Sequence, residues 1–178
     1  MDNLELIRKA LIIMISGHYG QKDKAREAYF YHPITVATML QHCQMEVIVT
    51  ALLHDVLEDS DYSAEDLRNA GFPQTIIEAV EAMTKENHEA KTSYLMRVKQ
   101  NPIALKVKAA DAYHNSDITR FDHPTDIERK RCFEYKELHL ELMVHIHLSE
   151  PDFALHPYQN TPKMNPWFND LIHELIQD

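Results

Sequence analysis

The sequence predicts an all-α fold, and three observations lead to that prediction. Apolar residues recur at helical spacing in successive segments, and almost no stretch alternates apolar and polar residues as a half-buried strand does. Only three glycines occur in 178 residues, which leaves little material for tight β-turns. The length fits a single domain of about 100 to 200 residues. We therefore expect one compact multi-helix bundle.

Capping residues and prolines indicate where the expected helices begin. Asp2 with Glu5 has the spacing of a capping box, and Thr125 with Glu128 repeats it. Pro33 suits the first turn of another helix. The expected helices span residues 2–17, 33–40, 45–57, 63–70, 73–83, 92–100, 102–112, 125–148 and 167–176.

Two segments define the expected domain organisation. Residues 45–57 are too uniformly apolar for a surface helix, so we expect them at the centre of the core. Prolines crowd residues 151–166, which we expect to form an ordered but irregular covering before the last helix. We assign residues 1–150 to one domain and residues 151–178 to a proline-rich tail and C-terminal helix packed on it.

The acidic composition excludes one class of partner. The chain has 18 Lys and Arg residues against 28 Asp and Glu residues, and its net charge of −10 repels nucleic acids at long range. A small anionic substrate remains compatible with this charge if local cations or a bound metal reverse its sign inside a pocket. We therefore expect a small-molecule partner and no nucleic acid.

The sequence also predicts a cytoplasmic protein that does not interact with membranes. The longest strongly apolar stretch has five residues, 11–15, whereas roughly 18 residues are needed to cross a bilayer. Acidic residues precede this stretch, unlike the basic leader of a signal peptide. Cys43 and Cys132 form no CxxC pair, which favours buried reduced thiols.

Ionisable residues interrupt the most apolar segment of the chain. Glu58 lies four residues after His54 and three after Asp55, so a continuous helix presents all three on one face. Buried charge without a partner is costly, and a divalent cation is the simplest partner that satisfies imidazole and carboxylate together. A purely structural role for the His-Asp pair, as a cap or an ion pair, is the alternative.

A wider pattern surrounds this pair, because His32 precedes Pro33 and Asp111 lies in a second apolar segment. The order of a His, a His-Asp pair and a distant Asp resembles the HD superfamily of metal-dependent phosphohydrolases. A closer similarity, over roughly residues 1–148, is to the hydrolase domain of RelA/SpoT proteins and the small alarmone hydrolases. The motifs that carry it are Gly20-Gln21, Tyr29-x-x-His32-Pro33-x-x-Val36-Ala37, Leu53-His54-Asp55-Val56-x-Glu58-Asp59, Met83-Thr84-Lys85 and Lys108-Ala109-Ala110-Asp111-x-x-His114-Asn115.

The resemblance implies a helical bundle around one divalent ion. The ion is usually manganese, with iron, cobalt or nickel as alternatives, and the implied ligands are His32, His54, Asp55 and Asp111. Two nitrogens and two carboxylate oxygens suit an octahedral ion better than a closed tetrahedral zinc site. The resemblance also assigns acid-base catalysis to Glu58 and Asp59, although Asp59 also fits a solvated helix end.

Substrate contacts are expected from a basic loop and one amide. Lys24 and Arg26, in the loop before His32, are candidate phosphate ligands. Asn115 lies one helical turn after Asp111 and is placed to bond a ribose or phosphate oxygen, with a core amide as the alternative. The chain departs from the resembled family in having Asp23 where the family has an arginine that stacks on guanine.

Other conspicuous side chains have ordinary interpretations. His139, His145 and His147 lie on the long helix expected at 125–148, where we expect surface or interhelix packing rather than a second metal site. We expect the aromatic residues Tyr29, Phe30 and Tyr31 to be core anchors.

The resemblance implies a metal-dependent phosphohydrolase acting on a nucleotide-like substrate. Hydrolysis of a (p)ppGpp-type 3′-pyrophosphate ranks first. The alternatives are a 5′-nucleotidase or another phosphomonoesterase, and a non-catalytic sensor that binds a nucleotide. The sequence leaves the oligomeric state open.

Overall fold

Helices form the whole regular structure of residues 2–157, which are the residues that the computed structural model describes. In that range the only β-pairing is a single bridge between Lys22 and Ala28, so the all-α prediction is confirmed. None of the described helices is long and apolar enough to cross a membrane. The helices are α1 Asn3–Gly17, α2 Tyr31–Met39, α3 Met45–Leu53, α4 Val56–Asp59, α5 Ala64–Asn69, α6 Gln74–Met83, α7 Lys91–Gln100, α8 Pro102–Asn115 and α9 Asp126–His147, with a 3₁₀ turn at Ile118–Arg120.

The predicted helix starts are largely confirmed by their caps. Asp2 Oδ1 accepts a hydrogen bond from the backbone N–H of Glu5 at 2.8 Å and begins α1. Asn101 Oδ1 accepts from two backbone N–H groups at the start of α8, where Pro102 occupies the first turn. Complete capping boxes begin α5 and α9, formed by Ser63 with Asp66 and by Thr125 with Glu128.

Helices α3 and α8 lie at the centre of the core, and both carry predicted metal ligands near their ends. Helix α3 packs against α1, α2, α6 and α8, and α8 packs against α2, α3, α6, α7 and α9. Four fully buried alanines of α8, Ala104, Ala109, Ala110 and Ala112, let the neighbouring helices approach closely. The central position predicted for the segment that begins at Met45 is therefore confirmed.

The prediction of one continuous helix over residues 45–57 is wrong, because the helix breaks at His54 and Asp55. The His54 ring nitrogen Nδ1 lies 2.8 Å from the carbonyl oxygen of Ala51, so a side chain occupies that acceptor in the last turn of α3. The carbonyl of Asp55 then accepts the backbone N–H groups of Glu58 and Asp59 and begins α4. Adjacent residues of a continuous helix diverge by about 100°, and the break lets these two side chains converge.

The end of the chain is described only as far as Pro157. Residues 150–157 run past α9, where Phe153 is buried and the backbone N–H of His156 donates to the carbonyl of Met39 at 3.0 Å. The predicted helix at 167–176 and most of the proline-rich segment lie outside the described residues. Their packing on the domain stays a prediction.

Candidate metal centre and active site

The four predicted metal ligands converge from three parts of the chain. His32 lies in the first turn of α2, His54 and Asp55 lie at the junction of α3 and α4, and Asp111 lies on α8. His32 Nε2 is 3.1 Å from Asp111 Oδ1 and 3.6 Å from Asp55 Oδ2. His54 Nε2 is 2.9 Å from Asp55 Oδ2 and 3.9 Å from Asp111 Oδ1. The ligand atoms of His32, His54 and Asp55 therefore lie within 4.8 Å of one another, and Asp111 Oδ1 approaches both imidazoles.

The environment of His54 fits a metal ion. The Ala51 carbonyl can only accept, so the proton of neutral His54 lies on Nδ1 and the lone pair on Nε2. Nε2 is buried and has no hydrogen-bond partner among the described residues, and the close approach of Asp55 Oδ2 lacks hydrogen-bond geometry. An orphaned buried nitrogen is unfavourable, and a cation bound there would satisfy it.

His32 is oriented by a second histidine, His114, which belongs to one of the sequence motifs but had no predicted role. His32 Nδ1 and His114 Nδ1 lie 2.7 Å apart in a buried contact, and the two rings stack. Burial lowers the pKa of His114 to about 2, reinforced by the nearby charge of His32. Because His114 is neutral, its Nδ1 can accept the His32 proton and leave the His32 Nε2 lone pair facing the site.

Asp111 is held by two side chains from its own helix. Lys108 Nζ donates to Asp111 Oδ2 at 2.7 Å, and Asn115 Nδ2 donates to Asp111 Oδ1 at 2.5 Å. Burial raises the pKa of Asp111, but the charge of Lys108 and the contacts with His32 outweigh it and hold the pKa well below its usual range. Asp111 is therefore an ionised candidate ligand at neutral pH.

The protein charges alone favour a cation at this point. Burial raises the pKa of Asp55, but the charge of the neighbouring His54 lowers it further, so the net shift is downward. Burial lowers the pKa of His54, and the charges of Asp55 and Asp111 overcome this and raise it to about 9. Two ionised carboxylates therefore attract a positive charge, which a divalent ion would supply in place of the imidazole proton.

Tyr29 belongs to the site, so its interpretation as a core anchor is incomplete. Its hydroxyl donates to Asp55 Oδ2 at 2.7 Å and lies 3.3 Å from Asp59 Oδ2. Burial and the charge of Asp55 raise the pKa of Tyr29 far above its usual value, so the hydroxyl remains a donor. Phe30 is buried in the core, as predicted. Tyr29 therefore ties a ligand of the site to a candidate catalytic carboxylate.

Glu58 is held at the cavity by the connection between α6 and α7. Glu58 Oε2 accepts the backbone N–H of Lys85 at 3.0 Å. Arg97 fixes this connection, because its guanidinium donates to the carbonyl oxygen of Thr84 at 3.1 Å and to Glu89 Oε2 at 2.6 Å. The motif at residues 83–85 therefore contacts the candidate catalytic residue directly.

A cavity of about 760 Å³ opens beside the candidate ligands, and its walls carry both positive and negative side chains. His32, Asp55, Asp111 and both candidate catalytic carboxylates line it, together with five cationic side chains: Lys22, Lys24, Lys108, Arg120 and Arg131. An adjoining cavity of about 510 Å³ shares part of this wall and adds Lys85, Lys91 and Lys130. The two walls together also carry seven carboxylates, so their charges nearly balance, in contrast to the net charge of −10 of the whole chain.

The structure places two of the three predicted substrate contacts at the larger cavity and the third outside it. Lys24 and Asn115 line the larger cavity. Arg26 is exposed, has a backbone φ of 68°, and is not among the residues that line it, so the geometry does not support Arg26 as a contact. Sequence analysis missed Arg131 as a lining residue and Lys108 as a partner of Asp111. The position of Lys108 one helical turn before Asp111 is a signal that could have found it.

The late histidines lie outside this cavity. His139 Nδ1 contacts the carbonyl of Ala109 at 2.9 Å, and His147 Nε2 contacts the carbonyl of Phe153 at 2.8 Å. Both contacts are packing contacts between segments, as predicted. His145 is exposed on α9.

The family follows from a match that covers more than half of the chain. The model of the HD domain matches residues 10–112, which include all four candidate ligands. The chain belongs to the HD domain family. Membership implies a divalent metal, and His32, His54 and Asp55 offer ligand atoms within 4.8 Å of one another.

Several curated proteins contain a region similar to this HD domain. A GTP pyrophosphokinase of Streptomyces coelicolor is 32% identical over 131 residues, which are 67% of this chain and 15% of the relative. The bifunctional (p)ppGpp synthase/hydrolase SpoT of Escherichia coli is 29% identical over 127 residues, covering 64% of this chain and 18% of the relative. The chain thus spans less than a fifth of the length of these relatives.

A solved structure has the same HD fold. It is a protein described as a metazoan ortholog of SpoT that hydrolyses ppGpp, and it superposes with a TM-score of 0.64 at 23% identity. The match covers 81% of this chain and 92% of that one. The architecture is therefore shared over nearly the whole of the neighbour.

Proposed function

We propose that this HD domain is a metal-dependent phosphohydrolase that removes the 3′-pyrophosphate of a (p)ppGpp-type nucleotide. The observation that carries the proposal is the convergence of four candidate ligand side chains beside a cavity whose wall also carries five Lys and Arg side chains. The similar regions of SpoT and of other proteins named (p)ppGpp hydrolases support the choice of substrate. A soluble nucleotide of this kind also suits a cytoplasmic location.

His32, His54, Asp55 and Asp111 would hold the ion, for which we propose manganese. Mixed imidazole and carboxylate ligands suit manganese or iron, with cobalt and nickel as the alternatives. When bound, the ion supplies polarisation of a phosphoryl oxygen and a lowered pKa for a water molecule. The side chains Lys108, His114 and Tyr29 orient the ligands through the contacts described above.

The remaining chemistry is assigned to the cavity wall. Glu58 and Asp59 lie beside the ligand Asp55, and we assign them proton transfer from the attacking water and to the leaving oxygen. Lys24 and the other lining cations bind phosphate oxygens and neutralise the charge that develops during cleavage. Asn115 donates a hydrogen bond to the proposed ligand Asp111 and also lines the cavity. It can therefore orient this ligand and contact a bound substrate.

The geometry of Asp23 favours a second candidate, hydrolysis of another nucleotide or a phosphomonoester. Asp23 Oδ2 accepts from Arg120 at 2.6 Å in the cavity wall, where the resembled family has an arginine for guanine. A carboxylate in an ion pair does not stack on a base as a guanidinium does. The same phosphohydrolase chemistry would then act on a different nucleotide.

A release assay distinguishes these candidates. The full chain is incubated with Mn²⁺, or with a chelator, and with guanosine tetraphosphate, nucleoside mono- and triphosphates, or a generic phosphomonoester. Manganese-dependent release of pyrophosphate from the tetraphosphate alone supports the first candidate. Phosphate release from other compounds supports the second. If no compound releases phosphate or pyrophosphate, and the nucleotide is recovered bound and unchanged, the result would instead indicate a sensor.

Two variants identify the catalytic centre in that assay. Asp55→Asn is expected to abolish activity, because it replaces an ionised ligand by a neutral amide of the same shape. Glu78→Gln, at an exposed carboxylate of α6, serves as the control and is expected to keep full activity. Full activity of Asp55→Asn would refute the proposed centre.

A further inference from the structure

A series of three side chains, Asp23, Arg120 and Asn115, connects the loop before α2 to the candidate metal ligand Asp111. Asp23 Oδ2 accepts from Arg120 Nη2 at 2.6 Å, across 97 positions of sequence. Arg120 Nη1 donates to Asn115 Oδ1 at 3.3 Å, and Asn115 Nδ2 donates to Asp111 Oδ1 at 2.5 Å. The side chains of Asp23 and Arg120 are both only 12% exposed, so solvent screens their contact weakly.

The contacts of Asn115 allow only one orientation of its amide. An arginine offers only donors, and an ionised carboxylate offers only acceptors. The amide oxygen must therefore face Arg120, and the amide nitrogen must face Asp111. A flipped amide would place an oxygen against the Asp111 carboxylate and an N–H against the guanidinium. Arg120 thus excludes the orientation that repels the ligand.

Asp23, at the other end of this series of contacts, also holds the basic loop before α2 in position. Asp23 Oδ1 accepts the backbone N–H of Glu27 at 2.9 Å, and the carbonyl of Asp23 accepts the N–H of Arg26 at 3.0 Å. Asp23 lies between Lys22 and Lys24, which both line the cavity. The ion pair with Arg120 therefore fixes the position of two candidate phosphate contacts relative to α8.

We propose that Arg120 is a positioning residue that orients Asn115 and, through it, Asp111, while Asp23 locks the basic loop to the same guanidinium. The inference rests on the proposed metal centre and deepens it. Residues that orient metal ligands typically change metal affinity by 10–100-fold when removed. Arg120→Met should therefore weaken Mn²⁺ binding about tenfold or more. It should also lower kcat, because the misoriented Asp111 affects the reacting centre.

Exchanging the two charges of the Asp23–Arg120 ion pair distinguishes a positioning role of Arg120 from a purely stabilising one. The double variant Asp23→Arg with Arg120→Asp restores an ion pair between the loop and the turn at Ile118–Arg120. The carboxylate introduced at position 120, however, attracts the amide nitrogen of Asn115 and favours the flipped orientation. We expect this variant to regain the thermal stability lost in Arg120→Met without regaining Mn²⁺ affinity.

The test measures Mn²⁺ affinity by titration calorimetry, thermal unfolding, and kcat and KM for each variant. Lys99→Met is the control, because it removes another ion pair between distant segments, Lys99 with Glu141, away from the cavity. Unchanged Mn²⁺ affinity in Arg120→Met, or its full recovery in the charge swap, would overturn the inference. If the unmodified protein binds no Mn²⁺, the proposed metal centre itself fails.

Discussion

Glu58 differs from the ligand carboxylates in what holds it. Its Oε2 accepts one backbone N–H, from Lys85, whereas Asp55 and Asp111 face imidazole nitrogens. Glu58→Gln keeps an oxygen that can accept this hydrogen bond but removes the ability to transfer a proton. We expect kcat to fall by about 10²–10⁴-fold with nearly unchanged Mn²⁺ affinity.

Steady-state kinetics and calorimetry on the same preparation check this prediction. Glu65→Gln, at an exposed carboxylate of α5, is the control and should leave both quantities unchanged. A large loss of Mn²⁺ affinity in Glu58→Gln would instead make Glu58 a ligand. Normal kcat would remove it from the reaction.

His139 predicts a pH dependence of stability. Burial lowers its pKa from the ordinary value of 6.5, although the bond to the Ala109 carbonyl opposes the shift. The unfolded chain therefore binds more protons below about pH 6.5, and the stability that neutral His139 contributes is lost as pH falls through its lower folded-state pKa. His139→Gln keeps a donor for the carbonyl but does not titrate.

Urea unfolding between pH 7.5 and 5 measures this contribution. The unfolding free energy of His139→Gln should fall less on acidification than that of the unmodified protein. His145→Gln, at an exposed position on the same helix, is the control and should follow the unmodified protein. Equal slopes for all three proteins would mean that the burial of His139 does not affect its titration.

At the residue scale, the sequence could indicate the four candidate ligands but not the side chains that support them. The four candidate ligands occur in a recognisable order, because two of them are adjacent and the others lie in apolar segments. The contact of Arg120 with Asp23 spans 97 positions, and that of Tyr29 with Asp55 spans 26. No local spacing rule reaches so far, so these partners emerge only from the folded arrangement.

At the scale of single elements, the capping box of α5 gives a direct test of local stability. Ser63 Oγ accepts the backbone N–H of Asp66, whose carboxylate accepts the N–H of Ser63 in return. Ser63→Ala removes one half of this exchange and should lower the unfolding free energy by about 1 kcal/mol. Ser63→Thr keeps a hydroxyl that can accept from the backbone and donate to the Asp66 carboxylate, and it should recover most of the loss.

Chemical denaturation with both variants checks the cap. Because α5 lies away from the cavity, metal affinity should stay unchanged in each of them. A Ser63→Ala protein as stable as the unmodified one would show that the first turn of α5 does not depend on its cap.

The ends of helices were predictable where a side chain caps the backbone. They were less predictable where a helix breaks inside the buried core. The box at Thr125 predicted the start of α9 within one residue. The break after Leu53 was missed, because apolar residues continue on both sides of it and the period of the pattern barely changes. The decisive interaction is the bond from the His54 ring to a carbonyl of its own helix, and a sequence pattern does not reveal which way a ring turns.

On the scale of the whole molecule, positive charge is concentrated around the two adjoining cavities. Their walls contain eight of the 18 Lys and Arg side chains but only seven of the 28 Asp and Glu side chains. These cations come from α7, α8, α9 and three connections between helices, so only the folded arrangement brings them together. The sequence could state that a cationic pocket was required for an anionic substrate, but not where it would form.

The metal centre also predicts how the whole fold responds to a ligand. Its four donor residues join α2, the α3–α4 junction and α8, which are packed together in the core. An ion that binds this arrangement but not the unfolded chain stabilises the fold by about 4 kcal/mol at a thousand times its dissociation constant. For a chain of this size, each kcal/mol raises Tm by about 2–4 °C.

We therefore expect saturating Mn²⁺ to raise Tm by about 8–16 °C relative to the chelator-treated protein. Asp55→Asn should lose most of this response, because its amide cannot supply the second negative charge that attracts the ion. Differential scanning calorimetry with and without Mn²⁺ measures both effects, and Glu78→Gln should respond as the unmodified protein does. An equal rise of Tm in Asp55→Asn would place the stabilising ion elsewhere on the molecule and separate metal binding from the cavity.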